Sequence, residues 1–270
     1  MTRNALGIMQ GRLLDPLNSS DLDWFPINNW EDEFPLAQQL GFQSIELVFD
    51  RKKDKRNPLY SYEGRKRLKK KFTENKLIPY SSCINYIIDY PLSDADIFED
   101  VKESISYLKE IGINNVILPL FDRSSIEKNN MIPCIKKLVD IAEKKNMLIL
   151  IETDKSGEDV SKYLSNIMSK NLGLVYDIGN ASYFGHDIAR DLDLLQNKIM
   201  HIHIKDKDKN GINVKLGTGI ANLSAFFEHP VIQSYSGFFT LETSRENDSY
   251  KTASYNLEYI KAIMQSNTNE

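Results

Sequence analysis

The chain has 270 residues, 41% of them hydrophobic and 27% charged, with 34 Lys and Arg against 38 Asp and Glu for a net charge of −4. That balance is ordinary for a globular protein with a sizeable core, and it argues against broad electrostatic binding to nucleic acid. No apolar run reaches the roughly 18 residues of a membrane span. The start of the chain lacks a charged segment followed by a long apolar stretch, so no leader is expected. Cys83 and Cys134 lie far apart without CxxC spacing. They read as free thiols of a reducing cytoplasm rather than a disulfide framework or a zinc knuckle.

Short apolar runs alternate with longer helical stretches along the whole chain. Ala5–Met9 is the first predicted strand, with Arg12 just past it. A long loop with Trp24 and Phe25 leads to a helix over Trp30–Leu40 that stops at Gly41. These aromatics either wall a ligand or pack the loop. Ser44–Val48 is the second strand and encloses Glu46 between Ile45 and Leu47. The helix Tyr62–Asn75 carries a Lys/Arg cluster at Arg65–Lys71, expected to be a solvated outer face. Strand Ile78–Cys83 is followed by helix Asp94–Ile111, capped by Asp94 and stopped by Gly112. The series continues with Asn115–Pro119, helix Ser125–Lys145, strand Met147–Glu152 and helix Gly157–Ser169. Strand Gly173–Asp177, helix Asp187–Leu195, strand Ile199–Ile204 and helix Leu223–Phe227 come next. Strand Phe238–Glu242 and helix Ser249–Met264 complete it.

Most of these strands are nearly continuous apolar runs, as befits strands covered on both faces. Eight strands alternating with eight helices imply parallel pairing, because parallel neighbours need long crossovers. The length, the count and the lack of GxGxxG after the first strand favour a closed barrel over an open doubly wound sheet. The predicted fold is one (β/α)8 TIM barrel over residues 1–270.

Four of the apolar runs end in a residue that can bind a divalent metal: Glu152, Asp177, His203 and Glu242. Their separations are 25, 26 and 39 residues (177−152, 203−177, 242−203). A strand and its return helix take roughly 30 residues in a barrel of this size. Each ligand would therefore sit at the carboxyl end of a successive strand, where barrels keep their chemistry. Each also has a plainer reading. Glu152 would otherwise need an internal salt bridge, since a lone buried carboxylate is costly. Asp177 can cap the helix after it, His203 can be a satisfied core histidine, and Glu242 can pair with Arg245. Three carboxylates and one imidazole suit Mn²⁺ first, with Mg²⁺, Co²⁺ or Zn²⁺ as alternatives, and lack the thiolates of a structural zinc site.

These residues carry a resemblance. Leu6–Arg12 (LGIMQGR), Gly41–Glu46 (GFQSIE), Ile151–Thr153, Tyr176–Asn180 (YDIGN), His201–Asp206 (HIHIKD), Gly217–Gly219 and Leu241–Thr243 stand in the order found in the xylose isomerase-like TIM-barrel superfamily. That group comprises sugar and sugar-phosphate isomerases and epimerases and also endonuclease IV. The four histidines all fall at or after position 186, too few and too late for the three-zinc cluster of endonuclease IV. Ketose 3-epimerases often carry a histidine where this chain has Asn180 and an arginine where it has Lys209.

The resemblance implies a divalent-metal-dependent isomerase or epimerase acting on a sugar or sugar phosphate. A proton is taken next to a carbonyl and an enediolate is stabilised by the metal. Glu152 and Glu242 would be the acid–base pair, facing each other across the barrel mouth, and would share the ion with Asp177 and His203. Glu46, Asn180, Lys205, Lys209 and Arg12 would contact substrate or support those that do. Lys205 can instead pair with Asp206, and Arg12 and Arg245 can be surface arginines. The glycine turn Gly217–Gly219 can offer amides to a phosphate or be a turn only. A keto-inositol dehydratase using the same metal and a non-catalytic barrel are the competing functions. The family also suggests a homo-oligomer in the cytoplasm.

Overall fold

The computed structural model describes residues 5–16 and 24–266. Eight parallel strands close into a barrel: β1 (Ala5–Met9), β2 (Ser44–Phe49), β3 (Ser81–Ile84), β4 (Asn115–Leu120), β5 (Leu148–Thr153), β6 (Leu172–Asp177), β7 (Ile199–Ile204) and β10 (Phe238–Leu241). The remaining two, β8 (Asp206–Lys207) and β9 (Asn213–Val214), form a small antiparallel ribbon just past β7. The helices are α1 (Glu33–Leu40), α2 (Tyr62–Glu74), α3 (Ala95–Ile111), α4 (Met131–Lys144), α5 (Gly157–Leu164), α6 (Ile178–Phe184), α7 (Ile188–Leu195), α8 (Leu223–Glu228), α9 (Pro230–Ser234) and α10 (Ser249–Ser266). Among the described residues no helix is long and apolar enough to cross a membrane.

Strand alternation separates two cores. Outward residues such as Ile8, Ile45, Leu118, Ile149, Ile202 and Leu241 belong to the layer between sheet and helices. Inward residues Cys83, Ile117, Leu150 and Val175 form a separate plug inside the barrel. Cys83 is thus part of the barrel filling rather than of the mouth.

The sequence reading holds for all eight barrel strands to within a few residues. Gly41 and Gly112 end their helices in the left-handed region, with φ of 93° and 100°. Asp94 occupies the cap position of α3 but makes no side-chain cap bond. The predicted helix Ser125–Lys145 starts only at Met131, because Asn130 adopts φ 67° and breaks the spiral. Within Arg65–Lys71, Arg65 is an exception to the solvated face. It is buried, 2.7 Å from Glu110, and donates to the Leu59 carbonyl. Phe25 and Trp30 are buried in the core and Trp24 is half-buried. The loop aromatics therefore pack mostly against the protein itself.

Candidate active site

β5, β6, β7 and β10 are consecutive neighbours around the barrel. Their carboxyl ends bring Glu152, Asp177, His203 and Glu242 together, with one donor atom from each lying within 4.8 Å of all the others. All four are buried. Glu152 and Glu242 stand at the two ends of this four-strand arc, so they flank the cluster rather than oppose each other across the full mouth.

His203 is aimed by a hydrogen bond. Its Nε2 lies 3.1 Å from Glu46 Oε1, which leaves Nδ1 facing the cluster, 3.1 Å from Glu242 Oε2 and 3.6 Å from Glu152 Oε2. Neither contact of Nδ1 has hydrogen-bond alignment. Burial alone would lower the imidazole pKa, but the Glu46 and Glu152 carboxylates raise it well above its ordinary value. Nδ1, the ring nitrogen that faces the cluster, is the one a metal would take.

Asp177 serves two purposes with its two oxygens. Oδ1 accepts from the Asn180 amide and caps α6. Oδ2 points into the cluster, 2.6 Å from Lys205 Nζ but without hydrogen-bond alignment. Burial pushes the Asp177 carboxyl up to about 6; Lys205 opposes this while Glu152 and Glu242 add to it. Glu242 moves the other way: burial alone would raise it, but Lys205 and His203 hold it well below the carboxylate range. An unaligned imidazole nitrogen, an unaligned carboxylate oxygen and two further carboxylates at one buried point match the donor set of a divalent cation.

Glu46 is fully buried on β2. It accepts from Ser81 Oγ at 2.6 Å and contacts His201 Nε2 at 2.9 Å as well as His203. Burial alone would raise it, yet the two imidazoles bring it down to about 2. Both oxygens are engaged by these residues, and through Oε1 Glu46 props the His203 ring. Glu46, His201 and His203 also converge closely enough to be considered ligands, but their spacings are those of hydrogen bonds. Sequence reasoning missed His201 and Ser81. The alternation in IMHIH does place His201 on the same inward face as His203.

Lys205 is buried and reaches Asp177 and Glu242, at 2.6 and 2.9 Å, rather than Asp206. Asn180 lies beside the cluster, its amide 3.4 Å from Glu152 Oε1. Arg12 is buried with its guanidinium 3.9 Å from Glu242 Oε1. Arg245 is also buried and donates to the Gly11 carbonyl, so neither arginine is a surface residue. Lys209 is exposed, in the turn of the β8–β9 ribbon.

Asp206 takes the amides of Gly217, Gly219 and Ala221 on its carboxylate at 2.8–3.1 Å. The amides of Gly217 and Gly219 are thus engaged by an internal anion. A second residue missed from sequence is Glu33, at the start of α1. It is buried and its Oε1 accepts the amides of Gly11 and Leu13, fixing the loop that carries Arg12. Burial pushes its carboxyl up to about 7 in spite of those amides and the nearby Arg12 and Arg245.

Known proteins are similar to this chain in sequence and in fold. The L-ribulose-5-phosphate 3-epimerase UlaE of Salmonella heidelberg is 26% identical over 266 residues, covering 88% of this chain and 90% of that protein. A solved L-ribulose 3-epimerase superposes with a TM-score of 0.76 at 16% identity, over 100% of this chain and 96% of the other. The IOLI protein, solved with a bound zinc atom, superposes with a TM-score of 0.74 at 17% identity, over 97% and 98% of the two chains. The family model described as xylose isomerase-like TIM barrel matches residues 34–263. With the closed eight-stranded barrel and that match over most of its length, the chain belongs to the xylose isomerase-like TIM-barrel family.

Proposed function

We propose that the protein is a divalent-metal-dependent ketose 3-epimerase acting on a small sugar or sugar phosphate. The observation that carries the proposal is the pair Glu152 and Glu242, buried on either side of one cation-shaped cluster with Lys205 and Arg12 beside them. The 26% identical relative, a 3-epimerase of L-ribulose 5-phosphate, supports both the reaction class and the substrate class.

A divalent ion held by Glu152, Asp177, His203 and Glu242, Mn²⁺ first and Mg²⁺, Co²⁺ or Zn²⁺ as alternatives, supplies Lewis-acid polarisation of the substrate carbonyl. The chain supplies the proton transfers. One of Glu152 and Glu242 takes the proton from the carbon next to the carbonyl, and the other returns one to the opposite face. Asn180 steadies Glu152 through its amide, while Glu46 holds the His203 ring in one tautomer and one orientation. Arg12 and Lys205 bring positive charge to the side where negative charge develops on the substrate oxygens. Asn180 has no acid or base role near neutral pH, so the two glutamates carry both proton steps.

The experiment is NMR in heavy water with Mn²⁺ and a panel of ketoses and ketose 5-phosphates that includes L-ribulose 5-phosphate. Deuterium should enter at C3 with inversion and without loss of water. Glu152→Gln and Glu242→Gln should each lower the exchange rate by about a thousandfold or more while circular dichroism stays unchanged. Full activity in either variant refutes these roles. A product lacking one water assigns the protein to the dehydratases instead.

A further inference from the structure

We propose that Lys205 is a built-in counter-cation. In the metal-free protein its ammonium occupies the carboxylate oxygens that a divalent ion would take, and it competes with that ion for them. The inference rests on the metal reading given above.

Three observations converge on this role. The first is identity of atoms. Lys205 Nζ contacts Asp177 Oδ2 and Glu242 Oε2. Asp177 Oδ2 is the oxygen left over once Oδ1 has capped α6, and Glu242 Oε2 is the oxygen nearest His203 Nδ1. The ammonium therefore stands against oxygens of two of the four residues proposed to hold the ion and is not a bystander at the rim.

The second is burial. Three carboxylates enclosed at one point repel each other strongly unless a cation stands among them. Lys205 is 5% exposed, and it is the amine that meets two of those carboxylates directly.

The third is a prepared seat. Gly179, in the first turn of α6, faces the lysine. A Cβ at that position would fall 2.5 Å from Lys205 Cγ and 2.8 Å from its carbonyl oxygen. The glycine leaves the space through which the lysine stem reaches the cluster.

Two consequences follow from charge alone. Removing the ammonium makes the cluster more negative, so a divalent ion binds more tightly. It also leaves the carboxylates uncompensated when no ion is present, so the metal-free fold weakens.

The test compares the chelator-stripped wild type with Lys205→Met, which keeps the stem, and Lys205→Gln, which keeps a donor without the charge. Lys162→Met, on the exposed face of α5, controls for net charge. Mn²⁺ affinity is measured by calorimetry and thermal midpoints are taken with and without Mn²⁺. Both Lys205 variants should bind Mn²⁺ at least tenfold more tightly than wild type. Their metal-free midpoints should fall by several degrees and regain more on loading than wild type does. The control should stay within twofold of the wild-type affinity. A folded Lys205→Met or Lys205→Gln that binds Mn²⁺ no more tightly than wild type overturns the inference and leaves the metal reading standing. Absence of Mn²⁺ binding in every variant and in wild type overturns both. Binding in the variants but not in wild type supports the inference in its strongest form.

Discussion

Inside the barrel, the wall from β3 to β6 and the wall from β7 through β10 to β2 use opposite chemistry. The first is filled by Cys83, Ile117, Leu150 and Val175. The second presents His201, His203, Thr240 and Glu46. The apolar side holds its shape by close packing, where a lost methylene is felt as a cavity. The polar side holds its shape by directed bonds: Glu46 meets His201 Nε2 and His203 Nε2 and accepts from Ser81 Oγ across the seam with β3. The cluster is served by both. Packing fixes where β5 and β6 end, and hydrogen bonds fix how the His203 ring turns.

The sharpest way to break this division is Leu150→Ala. On the packed side it should cost about 2–5 kcal/mol of stability and leave Mn²⁺ affinity within about threefold, read by urea denaturation and calorimetry. A large loss of metal affinity would show that the two walls are one mechanical unit.

Glu33 lies outside both walls and tests whether the loop carrying Arg12 is a third independent part. Its folded pKa is raised to about 7 from an ordinary 4.5. The stability linked to its proton is therefore complete below pH 4.5 and is lost as pH rises through 7. Glu33→Gln, which stays neutral, should remove that fall, worth about 3 kcal/mol in wild type. Denaturation midpoints at several pH values between 4 and 8 measure it, and parallel curves for the two proteins would contradict the assignment.

On the polar wall, Glu46→Gln should weaken metal binding by about 10- to 100-fold, because the ring it steadies is freed. Unchanged affinity would mean that packing alone aims His203. The smallest effect is expected at Lys209, exposed in the ribbon turn. Lys209→Ala should raise KM for a phosphorylated ketose by no more than about fivefold and leave KM for the unphosphorylated sugar unchanged. An equal change for both would show that the rim lysine does not read phosphate.

The convergence of Glu152, Asp177, His203 and Glu242 was legible in the sequence because each is a polar group closing an apolar strand, a local pattern that needs no knowledge of neighbours. The barrel itself was legible for the same reason: its periodicity is written within each strand and helix. What could not be read were contacts between distant segments. Glu33 resembles any acidic residue at a helix start until the loop of Gly11 and Leu13 folds onto it. Lys205 and Asp206 are adjacent in sequence and invite pairing, yet one turns to the cluster and the other to the glycine turn. Helix α6 is anticipated only as a helix that Asp177 could cap, because IGNASYF carries no apolar stripe to give its extent. It is started instead by Asp177, whose capping oxygen and cluster oxygen belong to one carboxylate.

Asp206, which opens β8 just past β7, gathers three amides from residues 217–221 onto one carboxylate. The excursion between them leaves and returns at a single fixed point, like a bag tied at the neck. Its contents can lengthen, shorten or change composition without dislodging His203 or Lys205, since loop length itself costs little. Descendants of this barrel therefore have a place to vary what they admit while the machinery beneath stays as it is.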